Sequence, residues 1–178
     1  EDEGWVEARG WIDAIDFPPT TFSQHIELAK ALVAADQADT ARQVLADAAK
    51  TVPSLDDYRR GHGMQGAFAW ASAYGGLAWG YALLGDREAV DRYYGLAFNR
   101  LADMEPNLDA YAGFATLCAA CRETGRLERL HEGVSAIEDA RKRWSAAMCI
   151  AQAMARLNEL EKERGAPIPK AVNEDRAD

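Results

Sequence analysis

The chain has 178 residues and a hydrophobic fraction of 48%, enough for one compact domain or a short repeat array with a real core. Its 20 Lys and Arg stand against 29 Asp and Glu, a net charge of −9, which argues against nucleic acid as a general partner because no cation surplus neutralises phosphates. No apolar run approaches the ~20 residues of a membrane span, and the three cysteines do not make a disulfide framework.

A first helix is expected over residues 3–15, with Trp5, Ala8, Ile12 and Ile15 on one stripe and Trp11 at its edge. Pro18-Pro19 should stop it, and Thr21 with Gln24 has the form of a capping box for the next helix. That helix runs to about Ala35, with Leu28, Ala29 and Leu32 inward. After the polar break at residues 36–39, another helix carries Ala41, Leu45 and Ala48, and Pro53 closes it. Residues 54–63 read as the most loop-like interior segment.

Helical periodicity resumes near Met64 and continues to about Arg100, broken by a tight turn at Gly85-Asp86. Pro106 and Asn107 punctuate again. The next helix, from Leu108, leads through a turn at Gly125 into a further one. Residues 141–164 are strongly helical, with Trp144, Met148, Ala151, Leu157 and Leu160 offering an apolar stripe. Residues 166–178 read as a polar tail. No stretch has the alternation of a strand, so the expected fold class is all-α.

An internal repeat emerges when the helix pairs are aligned. His25-x2-Leu28-Ala29-x2-Leu32 matches Tyr74-x2-Leu77-Ala78-x2-Tyr81 and Phe114-x2-Leu117-Cys118-x2-Cys121. Nine positions on from the last residue of each set come Ala41, Val90 and Leu130, followed by Leu45, Tyr94 and Val134, then Ala48, Ala97 and Ile137. This pattern resembles the tetratricopeptide repeat (TPR) family, in which an aromatic-x2-Leu-small-x2-Tyr helix is paired with an Ala-x3-aromatic helix. The units recur after 49 and then 40 residues, against ~34 in that family, so the repeats are degenerate.

The resemblance implies a right-handed α-α superhelix of about three hairpins, at residues 22–53, 71–105 and 111–139. The domain would span residues 1–165, with covering helices at 3–15 and 141–164, since each repeat buries its face only against a neighbour. Buried Trp5, Trp11 and Trp144 suit that covering role.

Catalytic and metal-binding chemistry finds little support in the sequence. Gly61-His62-Gly63-Met64-Gln65-Gly66 spells G-x-G-x-x-G but lacks the flanking strand that a dinucleotide site requires. Arg59, Arg60 and His62, beside those glycines at a helix start, are candidates to hold an anion or acidic side chain. Cys118 and Cys121 have C-x-x-C spacing late in a helix and read as small buried hydrophobes. His25, His62 and His131 are scattered, without a helix-spaced second His. No catalytic set, metal site or cofactor is expected.

The resemblance implies a non-enzymatic interaction module that holds a partner peptide or helix in a concave groove lined by the first helix of each hairpin. The groove stripes would be Ser23, Ile26, Lys30 and Val33; Ser72, Gly75, Trp79 and Ala82; and Ala112, Ala115, Ala119 and Arg122. Lys30 and Arg122 would pair with an acidic group of the partner. A ligand-sensing helical domain of a larger bacterial regulator is the alternative, and a helical enzyme with an unrecognised pocket a third. No secretory leader pattern is present, and the compartment stays open between the cytoplasm and, for a processed chain, the periplasm.

Overall fold

The computed structural model describes residues 3–62, 64–102 and 108–165, and among these every regular element is a helix. In order they are α1 (Glu3–Asp13), α2 (Pro18–Ala34), α3 (Ala38–His62), α4 (Met64–Leu83), α5 (Arg87–Ala102), α6 (Leu108–Glu123), α7 (Glu128–Ser135) and α8 (Ala140–Gly165). No described helix is long and apolar enough to cross a membrane. The polar tail expected at 166–178 and the Pro106-Asn107 break lie outside the described residues.

Three turns share one hydrogen-bond pattern, and they fall near Gln37, Gly85 and Gly125 as the sequence leads one to expect. After α2, the N–H of Gln37 donates to Leu32 O at 2.9 Å and that of Asp36 to Val33 O at 3.1 Å. After α4, Asp86 N–H donates to Tyr81 O and Gly85 N–H to Ala82 O; after α6, Arg126 N–H donates to Cys121 O and Gly125 N–H to Arg122 O. Each is a Schellman closure, which requires a left-handed residue just past the helix. Asp36, Gly85 and Gly125 take that conformation at φ of 59°, 69° and 66°. The accepting residues Leu32, Tyr81 and Cys121 are the ones aligned by the sequence repeat, so repeat register and turn register coincide.

Packing follows the same register. Leu28, Leu77 and Leu117 are buried, as are the small residues Ala29, Ala78 and Cys118, which let neighbouring backbones approach. On the second helices, Ala41, Val90 and Leu130 are buried, then Leu45 and Tyr94, then Ala48 and Ala97. Val134 and Ile137, in the short α7 unit, are half-buried against the core. The first helices contact one another in sequence: α2 against α4, α4 against α6, α6 against α8. The second helices α3, α5 and α7 each pack on the first helix that follows them.

Several local expectations are corrected. Pro18-Pro19 do not stop the first helix; they open α2 at its first two positions, where no N–H donor is needed. Phe17 is the N-cap and makes no side-chain cap. Thr21, expected to cap, instead donates from its hydroxyl to Ile15 O at 2.9 Å and Phe17 O at 3.2 Å. Pro53 does not end α3, and residues 54–62 are helical rather than loop. A mid-helix proline removes a donor at a cost of ~3 kcal/mol. Packing of α3 on both α2 and α4, with Val52 buried one residue ahead of the proline, offsets that loss.

The covering helices also differ from expectation. Trp5 is half-buried with Ala8 and Ile12, but Trp11 is 68% and Trp144 64% exposed. The face that α8 presents to the core is made by Ser145, Ala146, Cys149 and Ala153, with Ile150, Met154 and Leu157 half-buried. Trp144, Met148, Ala151 and Leu160 are exposed. Small side chains win the inner face because α8 packs closely on α6.

Candidate functional site

The first-helix face of α2, α4 and α6 is built on missing side chains. A Cβ at Gly75 would collide with Thr116 Oγ1 and sit 3.3 Å from Gly113 O. One at Gly76 would sit 3.5 Å from Ile26 Cγ1 and 3.7 Å from Phe22 Cε1. These glycines bring α4 against α6 on one side and α2 on the other.

That closeness consumes part of the expected groove. Ile26 and Ala82 are buried, at 6% and 5% exposure, and Gly75 is buried as well. They are helix-to-helix contacts rather than groove floor, because first helices that touch directly bury the residues between them. Ser72 has a side chain outside the described residues. Ser23 is exposed; Val33, Trp79, Ala112, Ala115 and Ala119 are half-buried.

Both expected cations are engaged within the chain. Lys30 Nζ lies 4.2 Å above the Trp79 ring centroid and 2.9 Å from both carboxylate oxygens of Glu27. Arg122 donates to Asn158 Oδ1 at 3.0 Å and pairs with Glu161, both on α8. Exposed pairs such as Lys30–Glu27 are worth at most ~1 kcal/mol, so a partner carboxylate competes with Glu27 at little cost. The half-buried indole under a cation adds ~0.5–1 kcal/mol.

Arg59, Arg60 and His62, the expected anion site, lie in the closing turns of α3 rather than at a helix start. Their side chains lie outside the described residues. The G-x-G-x-x-G string spans the α3–α4 junction with no strand among the described residues.

A second concavity was not anticipated. A cleft of about 660 Å³ opens between α5, α7 and the start of α8, with Tyr94, Phe98, Arg129, Glu132, Gly133 and Lys142 among its lining. Gly133 lets the Phe98 ring pack against α7 at its wall, since a Cβ there would sit 2.7 Å from Phe98 Cζ. Tyr94 donates from its hydroxyl to Arg129 O at 2.8 Å, and burial pushes its phenol well above the ordinary range. The Arg129 guanidinium lies 4.8 Å from the same ring's centroid and shares Asp91 with Arg126. Asp139 at the rim caps α8 by accepting from Lys142 N–H at 2.9 Å, the main reason its carboxyl titrates below the usual range. In sequence the signal was faint: Arg126 and Arg129 lie one helical turn apart, with nothing to announce that Asp91 meets both.

Cys118 and Cys121 are buried and free, and burial pushes their thiols up to about 12 and about 11. At neutral pH neither is a thiolate, so the pair lacks the form that attacks or binds metal. His131 is exposed. His25 is 1% exposed in the place that Tyr74 and Phe114 hold in the other units. Its Nε2 lies 3.1 Å from Asp13 Oδ1, though neither ring nitrogen makes an aligned hydrogen bond. No group of three or more His, Cys, Asp or Glu among the described residues could hold a metal ion. No family model matches this chain, and comparison with curated proteins and with solved structures gives no match.

Proposed function

We propose that the chain is a non-enzymatic protein-interaction module, a right-handed stack of helical hairpins on the plan of the tetratricopeptide repeats. It holds an apolar helix or extended peptide against the α2–α4–α6 face, around Trp79. The observation that carries this reading is the threefold recurrence of one Schellman turn in register with one packing pattern. A stack of like hairpins presents its first helices side by side, which is the surface such modules use. Lys30 over Trp79 supplies an aromatic platform and a cation whose present partner, Glu27, is exposed and exchangeable.

Selection of binding peptides from a displayed random library tests it. Enrichment should favour apolar sequences carrying Asp or Glu, and both Trp79→Ala and Lys30→Glu should lower their affinity tenfold or more, about 1.4 kcal/mol. Lys30→Glu should leave the melting temperature nearly unchanged. Peptides that bind both variants as well as the parent would move the site away from this face.

The 660 Å³ cleft favours a second reading, a ligand-sensing helical domain, because its size is that of small-molecule pockets. On that reading Gly95→Leu, at a position where an added Cβ meets nothing within 4 Å, fills the cleft and abolishes a ligand-induced thermal shift.

A further inference from the structure

Helix α1 lies across the first hairpin and leaves a space beneath it. Trp5 and Arg9, four residues apart and so on one face of α1, line that space on one side. Leu28 and Leu32 of α2 and Val44 of α3, all buried, line the other, and the enclosed volume is about 160 Å³. Beside Arg9, its polar lining is the uncharged set Gln37, Thr40 and Gln43. Among the described residues no carboxylate lines it.

Arg9 supplies the charge of this wall, and its contacts within the chain do not exhaust it. Its Nη2 donates to Asp47, and its Nε lies 3.8 Å from Asp13 Oδ2. Asp47 also accepts from Lys50 at 2.8 Å and from Gln43 at 3.3 Å, so it can share Arg9 without being stranded. A guanidinium carries five donors in a planar fork matched to a carboxylate. Nη1 of Arg9 makes no hydrogen bond among the described residues.

We propose that this cavity binds a small aromatic carboxylate, its ring beside the Trp5 indole and its acid group on Arg9. A dry apolar cavity of ~150 Å³ holds benzene, so the volume suits one ring with a short acidic substituent directed to the guanidinium. Contact with the indole favours an arene over an aliphatic chain. An amine in the same place meets a like charge and no carboxylate, and a neutral arene leaves the guanidinium unengaged. Since α1 brings both the indole and the cation, the bound acid pins α1 to α2 and α3. The site is separate from the α2–α4–α6 face and from the α5–α7–α8 cleft.

Chemical-shift titration of the isotope-labelled full chain with benzoate, benzyl alcohol and benzylamine tests this, since the three probes share a shape and differ in charge. Benzoate should bind with a Kd of about 1 mM or tighter, shifting amides of α1 and of residues 28–44 first. Benzyl alcohol should bind at least ~tenfold more weakly, and benzylamine should cause no saturable shift. Arg9→Met keeps an apolar stem over the cavity and removes the charge. It should bring benzoate down to the level of benzyl alcohol and leave the alcohol nearly unchanged, whereas Arg9→Lys should retain part of the preference. Amide exchange in α1 should slow at saturating benzoate. Absence of benzoate binding at 10 mM (about ten times the expected Kd), equal affinity for the three probes, shifts that avoid α1, or an equal loss of benzoate and benzyl alcohol in Arg9→Met each overturns the inference.

Discussion

Helices α4 and α1 are joined to the molecule by opposite means. Helix α4 touches α2, α3, α5 and α6, and it does so through absence: Gly75, Gly76 and Gly80 let facing side chains and backbone close in. Helix α1 packs chiefly on α2 and carries Val6 and Trp11 at 72% and 68% exposure. Its half-buried Trp5, Ala8 and Ile12 are joined by charge, with Arg9 paired to Asp47 of α3. Close apolar contact gains from every atom it shields and is indifferent to acid, whereas ion pairs at a half-exposed edge depend on the protonation of their carboxylates.

The largest expected effect breaks the first kind of junction. Gly75→Val puts a branched side chain where even a Cβ strikes Thr116 Oγ1, so α4 and α6 must separate. A loss of about 3 kcal/mol or more in urea unfolding is expected. A loss under ~0.5 kcal/mol would mean that α4 and α6 do not pack this closely.

An alkaline titration sharpens the contrast at the core side. Cys118 and Cys121 have folded thiols near 12 and 11 against an ordinary value of 9.0. Raised acids contribute stability that is complete below 9 and lost as pH rises towards the folded value, because only the unfolded chain releases the protons. By about pH 10.5 each thiol should cost ~2 kcal/mol. Denaturant midpoints should therefore fall from pH 9 upward, and less steeply in the Cys118→Ala, Cys121→Ala variant. Equal slopes would place the thiols in water.

Acid addresses α1 and gives the smallest effect. Asp47 titrates below 3.8, chiefly because Lys50 donates to it at 2.8 Å, with Gln43 and the charge of Arg9 adding to the shift. A lowered carboxyl contributes stability above pH 4 that fades as pH falls through the depressed value. The Arg9 pairing, the part of that shift that reaches α1, should weaken, and the loss should be local. Amide exchange of α1 should quicken below pH 4 while that of α4 holds. Simultaneous exchange of both helices would show that α1 is no separate unit.

Legibility in the sequence divides along the same line. The hairpin register and the three turn sites could be read because Leu-small pairs and Gly85 and Gly125 are local signals. The second turn residue of the first hairpin, Asp36, takes a positive φ without glycine, yet its polar neighbourhood still marked the break. The full length of α3 was hidden because Pro53 and residues 54–62 carry breaker chemistry that packing overrides. The α8 face was misassigned for a different reason: both sides of that helix are apolar, and size alone made Trp144 and Met148 look like the core side. Three of the twelve expected groove positions, Ile26, Gly75 and Ala82, are buried, since sequence spacing defines a stripe without revealing how near the next helix stands. The Tyr94–Arg129–Asp91 cluster needed three-dimensional proximity and left almost no trace in the sequence.

The sequential contact of α2, α4 and α6 also has a kinetic meaning. Each hairpin meets its sequence neighbour, so contacts between hairpins close loops of about one repeat rather than of the whole chain. Folding should then start around α4, which gains most by meeting neighbours on both sides, and spread outward to α1 and α8. Unfolding would run the reverse course and shed the ends before the centre. Native-state hydrogen exchange reads that order directly, with α4 amides opening only in the global event. Protection in α1 equal to that in α4 would make the chain one cooperative block instead of a stack that grows from its middle.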